Sequence, residues 1–111
     1  MSEFKLLTPE VKNVPWQEKP ENIKGAPIWR YSENPIIGRN PVDGVARIFN
    51  SAVMPYGDEF IGVFRAEQTN GIPYIYLGHS KDAIHWDIEK EKIQFVDEND
   101  EPFMPIYAYD P

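Results

Sequence analysis

The chain has 111 residues, enough for one domain with a modest hydrophobic core. Hydrophobic residues make up 41% of it and aromatic residues 14%, which argues against disorder over the whole chain. A net charge of −7 without a basic cluster argues against nucleic acid and anionic membranes as partners. The absence of cysteine excludes disulfides and thiolate chemistry.

The amino-acid sequence also gives expectations about the location of the protein and about metal binding. No apolar run is long enough to cross a bilayer, and the N-terminal residues lack the apolar core of a secretory signal. We therefore expect a cytoplasmic protein. The two histidines, His79 and His85, are too few for a histidine-rich metal site, so no metal is expected.

The first third of the chain is rich in proline. Residues 1–33 carry prolines among charges and are predicted to form an extended arm. Residues 34–41 contain two Asn-Pro steps and form a shaped loop, because the residue before proline is pushed out of the helical region. Arg39 lies near the end of this loop, and Arg47 follows it in the chain. We favour the interpretation that both arginines are solvated cations over the alternative that one of them lies at a sugar or phosphate site.

Residues 47–65 are predicted to form two strands joined by a turn at residues 55–58, which read Pro-Tyr-Gly-Asp. Asn50 and Ser51 interrupt the apolar first strand, and Arg65 ends the second. Leaving such a polar group buried and unpaired costs about 1–3 kcal/mol, so each is expected to have a partner in protein or ligand. Alternation predicts one face with Ile48, Asn50, Ala52 and Met54, and another with Phe49, Ser51 and Val53.

The next strands follow at a spacing of about ten residues, which predicts an antiparallel meander. The Asn-Gly pair at residues 70–71 is a strong hairpin signal. Residues 80–86 are predicted to form a turn that returns Trp86 to the core and leads into a fourth strand. A Ser-x-Asp turn followed by tryptophan is typical of a β-propeller blade. The acidic run at residues 97–101 is predicted to be a solvated loop.

Asp110 is the one candidate acid in an apolar, aromatic segment. If it is buried, desolvation would raise its pKa, as a general acid that protonates a departing sugar oxygen requires. Neighbouring Tyr107 and Tyr109 could stack on sugar faces. No second acid is close in sequence, and an Asp-Pro step is also common in turns. The residues alone indicate a β-rich domain with a polar site, and they favour a turn role for Asp110.

Five short motifs, taken together and in their order along the chain, indicate more about function than the individual residues do. Together they resemble the N-terminal part of glycoside hydrolase family 130, the β-mannoside phosphorylases, and most closely the branch that acts on β-1,4-mannooligosaccharides. The resemblance implies an all-β chain that is the N-terminal part of a five-bladed β-propeller, with an arm at 1–33 and the first blade and start of the next at 34–111. The motifs are Asn-Pro-Ile-Ile (34–37), Ile-Phe-Asn-Ser-Ala-Val (48–53), Gly-Val-Phe-Arg (62–65), Ser-Lys-Asp-Ala-Ile-His-Trp (80–86) and Tyr-Ala-Tyr-Asp-Pro (107–111).

The resemblance also implies a reaction, an inverting phosphorolysis that releases mannose 1-phosphate. Asp110 falls on the family's proton donor, which is thought to act through a substrate hydroxyl. Asn50, Ser51 and Arg65 fall on residues that contact the mannosyl unit. Because Asn50 and Ser51 alternate, Ser51 is expected to act through its backbone or to hold the strand. Inorganic phosphate is the co-substrate, and no metal or organic cofactor is implied.

The resemblance also bears on the completeness of the chain, its partners and the alternative functions. The family's basic phosphate-binding residues would follow residue 111, so we expect the chain to be an incomplete, inactive fragment. The expected partners are a mannooligosaccharide and phosphate, without nucleic acid or membrane. The alternatives are a family hydrolase that uses water on β-mannosides and a non-catalytic carbohydrate-binding β-domain. The acceptor sugar and the oligomeric state, a homo-oligomer included, are not determined.

Overall fold

The computed structural model describes residues 15, 17–23, 25–105 and 110–111. These residues form strands and loops, with one 3-10 turn at Glu21–Ile23 and no α-helix among them, so the predicted all-β class is confirmed. None of the described segments is a helix able to span a membrane. The strands are β1 (Val45–Tyr56), β2 (Glu59–Gln68), β3 (Pro73–Ser80), β4 (Asp87–Lys92), β5 (Phe95–Val96) and β6 (Pro102–Phe103).

The first four strands form one antiparallel sheet in chain order, which confirms the predicted meander. The β1–β2 connection is shorter than the sequence suggests, since Pro55 and Tyr56 belong to β1. Gly57 takes a φ of +63° there, a conformation that glycine adopts without strain. At the β2–β3 turn, the Gly71 amide donates to the Gln68 carbonyl at 2.9 Å.

The short strands β5 and β6 pair separately and enclose the acidic run. Residues 97–101 are exposed, as predicted for a solvated loop. The Asp97 carboxylate accepts hydrogen bonds from the amides of Asn99 and Glu101 at 2.8 and 3.0 Å. The acidic run therefore closes a small hairpin through its own side chain.

The segment before β1 is tied to the sheet by apolar contacts. Ile37 and Val42 pack against the core, although no strand occurs among the described residues before β1. Nearer the N-terminus, the Ser32 amide donates to the Gln17 side chain at 2.8 Å. The division into an arm at 1–33 and a blade at 34–111 stays a prediction.

The core lies on one face of the sheet and centres on Phe64. Gly62 and Gly78 lie directly opposite each other on β2 and β3. A Cβ atom on either glycine would lie under 3.0 Å from the Phe64 ring, at 2.7 and 2.9 Å, so the ring covers both positions. The Trp86 ring meets the Phe64 ring in a T-shaped contact, with centroids 5.1 Å apart.

The rest of this core follows from the two-residue period of the strands. Side chains on the Phe64 face of β2 are buried, and those on the opposite face are only partly covered. Trp86 packs against this core, which confirms the prediction that the turn at residues 80–86 returns its side chain to the core. The buried cluster consists of Val45, Phe64, Ala66, Tyr76 and Ile88.

The loop between β3 and β4 places Trp86 through hydrogen bonds to one carboxylate. Asp82 Oδ1 accepts from the amides of Ile84 and His85 at 2.9 and 2.8 Å. The indole Nε1 of Trp86 donates to the Ala83 carbonyl at 3.0 Å. Hydrogen bonds from the His85 amide and imidazole, with a further one from Ile84, hold the pKa of Asp82 well below its usual range.

Replacing Gly62 with alanine should destabilise the protein. The new methyl group would lie 2.7 Å from two carbons of the Phe64 ring and 3.0 Å from the Trp86 ring. Overpacking of this kind costs about 1–3 kcal/mol in free energy of unfolding, measurable by urea denaturation. Gly38→Ala is the control, since a Cβ there would have no atom of the described residues within 4 Å apart from its chain neighbours. If both substitutions lowered the free energy of unfolding by the same amount, the packing role of Gly62 would be contradicted.

Asp82→Asn should destabilise the protein more at neutral than at acidic pH. Because the folded-state pKa of Asp82 is lowered, its ionised form stabilises the fold above the unfolded-state pKa of about 4. This stabilisation is lost as the pH falls below that value. The difference in free energy of unfolding between the wild type and the variant should therefore shrink from pH 7 towards pH 3. Urea titrations at several pH values measure it, with Glu98→Gln as the control. A difference in free energy of unfolding that does not change with pH would contradict the proposed stabilisation by the ionised Asp82 carboxylate.

Candidate functional site

A β-bulge in β1 lies at the residues that the motifs single out. The register shift between Ile48 and Ser51 leaves Phe49 and Asn50 both opposite Arg65 of β2. Strict alternation put Ile48 and Ser51 on different faces, and this prediction is wrong. Both pair with core-facing residues of β2, because the bulge adds one residue between them.

The bulge directs Asn50 towards the end of the described chain. Its Nδ2 donates to Asp110 Oδ1 at 2.5 Å, across 60 residues of sequence. Both residues are exposed, so the burial on which the general-acid expectation depended is not found in this chain. Tyr107 and Tyr109, which were expected to stack on sugars, lie outside the described residues. The structure thus joins two of the four predicted site residues directly.

Arg65 lies beside this pair and contacts an aromatic ring. Its guanidinium carbon is 4.6 Å from the centroid of the Phe49 ring. Arg47 approaches the same ring at 5.5 Å and pairs with Glu67, with 3.0 Å between Nη2 and Oε1. Phe49 therefore contacts two guanidinium groups next to the Asn50–Asp110 contact.

Ser51 is placed differently from the other predicted site residues. It pairs with Phe64 across the sheet and lines an open cleft of about 720 Å³. The cleft is mainly apolar, with Ile36, Val53 and Trp86 among its lining residues. This position agrees with the expectation that Ser51 does not share a face with Asn50, and its role in binding stays a prediction.

Sequence reasoning missed Phe49 as a residue of the site. Alternation assigned it to the same face as Ser51, and both residues do line the cleft. Alternation gave no sign that Phe49 and Asn50 would lie opposite the same residue, Arg65. The interruption of an apolar strand by Asn50 and Ser51 was the available signal of irregularity. It could not locate the extra residue, because a bulge is defined only against the partner strand.

A second polar cluster links β2, β3 and β4. His79 on β3 lies between two carboxylates, with Nδ1 3.2 Å from Glu59 and Nε2 3.5 Å from Glu89. The hydrogen bond with Glu59 is the main cause of a raised pKa for His79, partly opposed by desolvation. Lys81 adds a contact to Asp58 at 3.3 Å. Within the described part of the chain, no three His, Cys, Asp or Glu side chains are arranged to hold a metal ion.

Comparison with known proteins gives two findings. The family model described as β-1,4-mannooligosaccharide phosphorylase, glycoside hydrolase family 130, matches residues 8–111. The chain is also 44% identical over 105 residues to a β-1,4-mannooligosaccharide phosphorylase of Ruminococcus albus. This alignment covers 89% of the present chain and 31% of the relative, so the chain spans about a third of that relative's length.

Glu59→Gln should lower the pKa of His79 towards the ordinary histidine value of 6.5. The carboxylate stabilises the imidazolium through a hydrogen bond and its charge, and the neutral amide cannot supply the charge. Two-dimensional NMR of the imidazole signals across pH 5–9 measures the change. His85 is an internal control, because its imidazole contacts Asp82 and not Glu59. An unchanged His79 titration would show that Glu59 is not the main cause of the shift.

Proposed function

The chain belongs to the β-1,4-mannooligosaccharide phosphorylase family, glycoside hydrolase family 130, and we propose that the protein containing it phosphorolyses β-1,4-linked mannooligosaccharides. The relative from Ruminococcus albus supports this substrate class. The observation that carries the assignment is the hydrogen bond between Asn50 and Asp110. It joins a proposed sugar contact to the proposed proton donor, although 60 residues separate them.

In the proposed reaction, an oxygen of inorganic phosphate attacks the anomeric carbon of the non-reducing mannosyl unit. The glycosidic C–O bond breaks with inversion, and the products are mannose 1-phosphate and an oligosaccharide one unit shorter. The departing oxygen takes a proton that Asp110 supplies through a substrate hydroxyl. Because phosphate is already a nucleophile, one protein carboxyl group suffices, whereas inverting hydrolases need a second one to activate water.

The residues around Asp110 have compatible roles in this scheme. After proton donation, Asp110 is a carboxylate, and the Asn50 N–H group stabilises that charged form. The Arg65 guanidinium carries five N–H donors, which suit the hydroxyl groups of a mannosyl unit. Ser51 is proposed to hold β1 against Phe64 or to bind the sugar through its backbone.

The proposal extends to the architecture of the whole protein. The four-stranded antiparallel meander supports the interpretation of residues 34–111 as the first blade and the start of the next. We propose a five-bladed β-propeller with Asn50, Arg65 and Asp110 at its central channel. A cytoplasmic location stays a prediction from the sequence, and the oligomeric state stays open.

Asp110→Asn in the complete protein should lower the formation of mannose 1-phosphate from mannobiose and phosphate. Loss of a positioned general acid costs about 10²–10⁴-fold in rate. The measurement is initial rate at saturating phosphate, with thermal unfolding as a check on folding. Asp100→Asn is the matched control, since this carboxylate belongs to the exposed β5–β6 loop.

Three outcomes would contradict the proposal in different ways. Mannose release that does not require phosphate would indicate a hydrolase. Mannobiose binding without turnover by the unmodified complete protein would indicate a carbohydrate-binding domain. Full activity of Asp110→Asn would remove Asp110 from the role of proton donor.

A further inference from the structure

The Phe49 side chain is exposed to 43% on the strand that carries the proposed sugar contacts. It precedes Asn50 in the bulge, so both residues lie opposite Arg65. Phe49 belongs neither to the buried cluster around Phe64 nor to the partly buried side chains packed against that cluster, although it lines the cleft together with Phe64. Its closest charged neighbour is Arg65, whose guanidinium carbon lies 4.6 Å from the ring centroid.

This distance is within the range in which a guanidinium group is attracted to an aromatic ring. An arginine side chain has many rotamers, and a flat ring beside it restricts the positions of its planar group. The guanidinium carbon of Arg47 also lies near the ring, 5.5 Å from its centroid. Arg47 is anchored in turn by its ion pair with Glu67.

We propose that Phe49 is a positioning residue, whose ring orients the Arg65 guanidinium towards the mannosyl unit bound beside Asn50 and Asp110. The bulge is essential to this arrangement, because it places both Phe49 and Asn50 opposite Arg65. The inference rests on the proposed function, which supplies the role of Arg65 as a sugar contact. A direct stacking role of the Phe49 ring on the sugar is the competing outcome.

The test uses the complete protein and compares Phe49→Leu with Phe49→Tyr. Leucine keeps apolar bulk but removes the aromatic face, whereas tyrosine keeps that face. Phe49→Leu is expected to lower kcat/KM for mannobiose about three- to tenfold through a higher KM, and Phe49→Tyr should restore it. Tyr56→Leu is the matched control, since this aromatic side chain on the same strand is 63% exposed at the far end of the hairpin.

A double-mutant cycle shows whether Phe49 acts through Arg65. Lysine at position 65 keeps the charge but loses the planar group. In the Arg65→Lys background, Phe49→Leu is expected to cause almost no further loss of kcat/KM. The urea midpoints of the variants separate this coupling from a general loss of stability.

Either of two results would overturn the role of Phe49. The first is wild-type kcat/KM for Phe49→Leu or for Arg65→Lys. The second is an undiminished loss from Phe49→Leu in the Arg65→Lys background, which would indicate direct stacking on the sugar. Failure of the proposed function is recognised separately in the unmodified complete protein, which would then release mannose without phosphate or bind mannobiose without turnover.

Discussion

The packing of the Phe64 ring over Gly62 and Gly78 is the contact on which the rest of the sheet depends. The ring fits only where two glycines lie opposite each other, so the contact selects the register of β2 against β3. A slip by one residue would turn every side chain of the strand to the other face. The Trp86 ring then completes this core from the loop after β3.

The geometry of the candidate site is a consequence of that core. Since β2 directs Phe64 inwards and Arg65 outwards, the neighbouring strand must pair Ser51 with the inward side. The extra residue of β1 is accommodated in the bulge, where Phe49 and Asn50 both lie opposite Arg65. The same strand thus places Ser51 opposite the core-facing Phe64 and Asn50, one position earlier, opposite Arg65.

The ion pair between Arg47 and Glu67 orients side chains more than it stabilises the fold. The Arg47–Glu67 pair is well exposed, and exposed ion pairs contribute about 0–1 kcal/mol. Its position next to the Phe49 ring gives the pair a local purpose, which is to limit the freedom of a ring at the candidate site. His79 similarly connects three neighbouring strands through Glu59 and Glu89.

The sequence alone determined the meander and the loop that returns Trp86 to the core. These features depend on the two-residue period and on turn chemistry, which are local properties of the chain. The motifs also identified Asn50, Arg65 and Asp110 as residues of interest. Only the tertiary structure decided the bulge, the Asn50–Asp110 hydrogen bond and the contact of Phe49 with Arg65. A bulge exists only relative to a partner strand, and a contact across 60 residues has no local signal.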